Sequence, residues 1–245
     1  MHSNIKLHVE ADYGAMSRKA ADIFEEALRK KPEGVFGFAT GGTPEGLYAE
    51  LARRHKENGL DFSKATSFNL DEYFPIKADE AQSYSRFMRE KLFGLVNISA
   101  ERVFLPNGEA ADAADECKRY DQKIDEAGGI DLQIVGIGMN GHIGFNEPAD
   151  NFSVTTSYVP LSKSTIKSNA RFFDSPGDVP RHALTMGVRN ILMARRVLFL
   201  CSGRAKAAIL RDALSGPVTP LLPASALQLH RHVTVVADEE AASLL

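Results

Sequence analysis

The chain has 245 residues but no tryptophan, only two cysteines and little net charge. Each absence removes a class of protein. Cys117 and Cys201 form no spaced metal or redox motif and cannot build a disulfide framework. Cys201, inside "VLFLCS", reads as a small core residue, and a reduced, cytoplasmic setting is expected. The N-terminal "MHSNIKLHVEAD" lacks an apolar signal core, and no run of about 18 apolar residues occurs, so no membrane partner is expected. A net charge of -3 and a pI near 6.2 give no reason to expect nucleic acid as a partner. Any anion site must therefore be local. Repeats, low-complexity tracts and linker-like composition shifts are also missing, so residues 1–245 are expected to form a single domain.

What is present is ordinary globular chemistry in an ordered pattern, with 44% hydrophobic and 25% charged residues. Such a chain buries roughly three quarters of its unfolded surface. Short apolar runs alternate with helical patterns. "KLHVE", "VFGFAT", "TSFNLDEY", "RVFL", "DLQIVGIG", "RVLFLCS" and "HVTVVAD" read as strands or their beginnings. Helices are expected from Asp12 to about Arg29 with Asp12 as cap, Thr43 to about His55, Ser83 to Phe93, Ala110 to Ala127, and about Arg204 to Leu214. Continuously apolar strands between helices predict an α/β fold, a doubly wound, mostly parallel sheet with helices on both faces.

In such a sheet, ligands bind beyond the carboxyl ends of the strands. Four strand ends carry unusual chemistry. "ATGGTPEGLY" places Gly41 and Gly42 before Thr43, a natural helix cap, and Pro44, which suits a first helical position. Free amides there can cradle an anion, although an ordinary strand-to-helix turn needs the same residues. "SGRAK" puts Arg204 and Lys206 at a helix start, where cations oppose the dipole unless an anion binds or solvent screens them. Arg171 in "SNARFFD" is a third candidate cation. "SFNLDEYF" sets Asp71 and Glu72 at a strand end, on opposite sides of an extended backbone. One is expected to face the cleft, where partial burial would raise its basicity; a solvated acidic loop is the alternative. Finally, "GIGMNGHIGFNEP" joins Asn140, His142, Asn146 and Glu147 in a glycine-punctuated turn. His142 can accept a proton near neutral pH and Glu147 can orient it, though a histidine in a turn is often structural. One His and one Glu do not make a metal site.

Together these stretches, with "ALTMGVRNILMARRVLFLCSGRAKA" and "LQLH", resemble the glucosamine-6-phosphate deaminase family, in order and spacing, from about Ile5 to Asp238. The resemblance implies a modified doubly wound fold. It implies conversion of glucosamine 6-phosphate and water to fructose 6-phosphate and ammonia, with no metal or organic cofactor. It assigns Asp71 as the base that moves a proton between C2 and C1, and His142, assisted by Glu147, as the proton acceptor in ring opening. Gly41, Gly42, Thr43, Arg171 and Lys206 fall at phosphate-binding positions. Asn140 occupies a place where some members carry aspartate, which leaves Glu147 as the main carboxylate near His142.

Two rival readings stand beside this one: a related enzyme, 6-phosphogluconolactonase, which needs no C2 base, and, of another class, a sugar-phosphate sensor domain, which would need a DNA-binding unit. Some members of the family are hexamers activated by N-acetylglucosamine 6-phosphate, bound by basic and hydroxyl residues after "NEP" and an aromatic C-terminal tail. Here the first cation after Pro148 is Lys163, and the chain ends at Leu245. A non-allosteric monomer or low homo-oligomer is therefore expected.

Overall fold

The structure is a computed structural model that describes residues 4–162, 165–167 and 179–245. Arg171 and Lys163 lie outside the described residues.

Strand β1 (Ile5–Glu10) leads into α1 (Tyr13–Lys30), capped as expected by Asp12, whose Oδ1 accepts from the Ala15 amide at 2.7 Å. Then follow β2 (Val35–Phe38), α2 (Gly42–Asn58), β3 (Thr66–Asn69) and β4 (Asp71–Phe74). Helix α3 (Tyr84–Met88) runs on into a π-helical turn at Arg89–Phe93 and precedes β5 (Val103–Phe104) and α4 (Ala113–Glu126). The second half comprises β6 (Leu132–Gly136), β7 (Ser157–Pro160), β8 (His182–Thr185), α5 (Val188–Met193), β9 (Val197–Cys201), α6 (Ala207–Ser215), β10 (Val233–Asp238) and α7 (Glu239–Ala242).

Seven strands form one sheet in the order β1-β10-β9-β6-β2-β3-β5, every pair parallel. Its central strands are buried along their length, as continuous apolar sequence requires. Phe24 of α1 meets Phe36 and Phe38 of β2, with ring centroids 4.9 and 5.6 Å apart. Tyr120 of α4 meets Phe68 of β3 edge-on at 5.8 Å. Phe68 is paired with Gly37, which faces the opposite way from Phe36 and Phe38 beside it, so α1 and α4 cover opposite faces. Each such buried aromatic or aliphatic side chain contributes roughly 1.5–3 kcal/mol relative to exposure.

The sequence reading did not anticipate a second sheet. β4, β8 and β7 form a three-stranded antiparallel sheet, with Asp71 opposite Thr185 and Ser157 also opposite Thr185. "TSFNLDEY" is thus not one strand. Leu70 breaks it: its amide donates to the Phe38 carbonyl of the large sheet at 2.9 Å, and its carbonyl accepts from the Met186 amide at 2.6 Å. The chain changes sheets at the residue before Asp71. A second small core of Tyr73, Ile76, Phe145, Leu161 and Ala183 lies beneath the small sheet.

Candidate active site

The connections from β2 and β3 run toward one edge of the large sheet, those from β6 and β9 toward the other. The reversal falls between β2 and β6, the place where open α/β sheets bind ligands. A cavity of about 420 Å³ opens there, beyond the carboxyl ends of β9, β6, β2 and β3. These four strands are neighbours, and they are the four whose ends carry the candidate chemistry. Gly41, Gly42, Thr43, Asp71, Asn140, His142 and Lys206 all line the cavity. Glu147 stands one layer behind.

The turn after β6 is built around His142. The Gly138 amide donates to the His142 carbonyl at 3.0 Å. A Cβ on Gly138 would lie 2.3 Å from the imidazole, so the ring packs against bare backbone. Nδ1 of His142 is 3.5 Å from Oε2 of Glu147, an ion pair whenever the imidazole is protonated. The same Oε2 accepts from Nδ2 of Asn140 at 2.6 Å, while Oδ1 of Asn140 accepts from the His142 amide at 3.3 Å. Asn140 therefore bridges the carboxylate to the backbone of the histidine. An amide can do this because it both donates and accepts; it supplies no charge of its own. Oε1 of Glu147 accepts from the hydroxyls of Ser162, at 3.2 Å, and Thr165. Burial pushes the Glu147 carboxyl up, but contact with His142, then Thr165 and Asn140, outweighs it and brings the pKa down to about 2.

Asp71 has the opposite environment. It is 5% exposed, and none of the described residues donates a hydrogen bond to its carboxylate. Burial first, then the charge of Glu72, raises its pKa to about 8. The alternation expected of an extended backbone holds. Glu72, 2% exposed, turns away from the cavity. Its carboxylate accepts from the amides of Tyr73, Tyr84 and Ser85, each at 2.9 Å, and from Oγ of Ser83 at 2.8 Å. It thus ties down the start of α3. Burial raises its pKa against those four bonds. Other titratable groups around Asp71 are Tyr48, Tyr84 and Tyr120 on three helices, with His142 and Lys206 across the cavity.

The far end of the cavity suits an anion. Gly41, at φ 97°, caps α2 in place of the expected Thr43. That left-handed conformation is open to glycine at little cost. Freed from capping, the Thr43 hydroxyl accepts from Nζ of Lys206 at 3.2 Å. The expected helix at "SGRAK" begins as a 3₁₀ turn, Arg204–Lys206, and only then becomes α6. Arg204 stays exposed, while Lys206 reaches the cavity. Burial lowers the Lys206 pKa, opposed by neighbouring Cys201 and Asp238. Tyr13 braces this end from outside, its hydroxyl donating to the Gly42 carbonyl at 2.9 Å and accepting from the Gly46 amide at 2.7 Å. Among the described residues, no three His, Cys, Asp or Glu side chains converge as metal ligands.

Residues 10–236 match the family described as glucosamine-6-phosphate isomerases/6-phosphogluconolactonase. The chain belongs to this family. Within the isomerase/lactonase family, it is 50% identical over 98% of its length to a glucosamine-6-phosphate deaminase from Halothermothrix orenii, all of which is covered. It is 48% identical to one from Clostridium perfringens at the same coverage of both chains. The solved structure of a monomeric glucosamine-6-phosphate deaminase superposes with a TM-score of 0.95 at 45% identity, covering 98% of this chain and all of that one. A 6-phosphogluconolactonase from Trypanosoma brucei reaches a TM-score of 0.75 at 20% identity, with 98% of each chain covered, which shows the shared fold alone.

Sequence reasoning missed Tyr84 and Thr185 as parts of this site, and gave Asn146 no role. Tyr84 lines the cavity and hydrogen-bonds Thr40. Oγ1 of Thr185 accepts from the Phe145 amide at 3.0 Å, and Nδ2 of Asn146 donates to the Ile143 and Met186 carbonyls, each at 2.9 Å. These bonds clamp the histidine turn to β8, and through β8 to Asp71. Asn146 stood in the turn motif; the other two had no local signal, because only the small sheet brings them in.

Proposed function

We propose that the chain converts glucosamine 6-phosphate and water to fructose 6-phosphate and ammonia. The observation that carries this reading is a buried carboxylate, Asp71, with raised basicity in the same cavity as a carboxylate-backed His142 and an anion-ready end at Thr43 and Lys206.

The phosphate binds the amides of Gly41, Gly42 and Thr43 and the ammonium of Lys206. Arg171 is proposed as a further phosphate ligand. This anchors the reacting end, so binding energy from the phosphate is used for positioning. His142 takes the O1 proton as the pyranose opens, and a proton reaches O5. Glu147 stabilises the resulting imidazolium, and Asn140 keeps the pair aligned. Asp71 then removes the C2 proton and returns it to C1, while O1 takes up the proton that the amino nitrogen gives up, which leaves a C1 hydroxyl and a C2 imine. The C2 imine so formed is hydrolysed by water, which releases ammonia and leaves the ketone. A lactonase has no use for a base at C2, and Asp71 is the group that separates the two reactions. The chain is proposed to act as one cytoplasmic domain, residues 1–245, and as a monomer. The monomeric relative supports the last point.

Proton exchange at C2 tests the division of roles. Asp71→Asn should abolish exchange of the C2 proton with solvent. His142→Gln should leave exchange on an open-chain analogue largely intact while slowing turnover of the cyclic substrate. Equal loss of exchange in both variants refutes the assignment.

A further inference from the structure

Asp238 ends β10, one strand over from β9, and does not line the cavity. It is 4% exposed, and its carboxylate holds three backbone or hydroxyl groups together. Both oxygens accept from the Gly203 amide at 3.0 Å, and one also accepts from the Ser202 hydroxyl. The Ala241 amide donates to Oδ1 at 2.8 Å, which caps α7. Gly203, at φ 91°, turns the chain, and its carbonyl accepts from the Lys206 amide at 3.0 Å. A continuous set of hydrogen bonds therefore runs from Asp238 to the backbone of Lys206. Beyond it, Nζ of Lys206 is held by a neutral hydroxyl, Thr43 Oγ1, and no described carboxylate pairs with it. Even a half-buried ammonium is costly without a counterion. Cys201 and Asp238 are the acidic groups beside it; burial pushes the Cys201 thiol up to about 12, which leaves Asp238 as the carboxylate among them.

We propose that Asp238 is a positioning residue for the anion end of the cavity: it fixes the Ser202–Lys206 turn and lends its negative charge to Lys206, so that the ammonium stays charged and aimed at Thr43 before a phosphate arrives. This rests on Lys206 being a phosphate ligand, as in the functional reading above.

Inorganic phosphate, titrated calorimetrically into the full-length protein, tests the proposal without needing turnover. Asp238→Asn should weaken phosphate binding about tenfold, the size of one lost charge-assisted hydrogen bond. The alkaline limb of binding against pH should also move to lower pH, which a purely structural residue would not cause. In a Lys206→Met background the same change should add little, because the two residues act as one unit. Turnover of glucosamine 6-phosphate should show a raised KM and a kcat/KM lowered by about the same tenfold, since the phosphate anchor is what is weakened. Should Asp238→Asn fail to fold, Ser202→Ala removes one link and leaves the α7 cap; it should weaken phosphate binding about threefold, as one neutral hydrogen bond does. Unchanged phosphate binding in the variant that folds, or equal loss with and without Lys206, overturns the proposal. A wild-type protein that binds phosphate but releases no ammonia would instead overturn the functional reading and leave this one standing. Phosphate binding indifferent to Lys206→Met would remove the ligand on which the proposal rests.

Discussion

Replacing Asp71 with asparagine should stabilise the fold while removing the base. The carboxyl ionises near 3.8 in the unfolded chain and near 8 in the folded one. A raised folded pKa means that stability is fullest below pH 3.8 and falls as pH rises toward 8. Each pH unit across that window costs about 1.4 kcal/mol, so the ionisable carboxyl at pH 7 costs at most about 4 kcal/mol. Water reaching the cavity and the unpaired amide of the variant both reduce the gain, to about 2 kcal/mol. For a chain of this length that is roughly 4–8 °C in Tm. The assay is thermal unfolding of both proteins by circular dichroism at several pH values from 4.5 to 8. The variant should melt higher at pH 8, and the gap should narrow steadily toward pH 4.5. A gap independent of pH, or a variant that melts lower at pH 8, refutes the placement of Asp71 as a desolvated carboxylate with no hydrogen-bond donor among the described residues. The same pKa predicts that kcat/KM of the wild type climbs with pH up to about 8.

Glu147→Gln should act in the other direction. Its folded pKa of about 2 lies below the ordinary 4.5, so its contribution is present above pH 4.5 and lost as pH falls toward 2; the variant should lose about 2–3 kcal/mol at pH 7, measured by urea unfolding, and that loss should vanish in acid. Glu72→Gln removes the like charge beside Asp71, so the acid limb of kcat/KM should shift to lower pH; a limb that stays put would show that Glu72 does not tune the base. Gly138→Ala puts a methyl 2.3 Å from the imidazole; about a hundredfold loss of turnover with a Tm lowered by only a few degrees is expected, since a misplacement of about 1 Å costs that much in rate.

The parallel core was legible because its strands are buried on both faces and so are apolar throughout: "VLFLC" can hardly be anything else between two helices. The candidate site followed from the same physics. A parallel sheet gathers its carboxyl ends at one edge, and polar residues at those ends are brought together by topology. The small antiparallel sheet was not legible. Strands β7 and β8 have four residues each, and in β7 polar Ser157 is half-buried while Tyr158 is exposed, so neither gives a periodic signal above its loops. The break at Leu70 was hidden for a related reason. Its backbone serves both sheets, and nothing in "FNLDEY" marks a change of partner. Thr43 illustrates a third limit. Its identity fits a cap, but the adjacent glycine takes the left-handed turn and the cap with it. Glu72 and Asp238 show a fourth: most of their partners are backbone amides, some more than thirty residues away, which leave no trace in side-chain spacing.

The central claim is deamination at C2, and product analysis tests it most directly. Purified protein should be incubated with glucosamine 6-phosphate, with galactosamine 6-phosphate and 6-phosphogluconolactone in parallel. Ammonia and fructose 6-phosphate should appear in equal amounts from glucosamine 6-phosphate, before and after treatment with a chelator. Failure to release ammonia from either amino sugar, or hydrolysis of the lactone alone, would contradict the account.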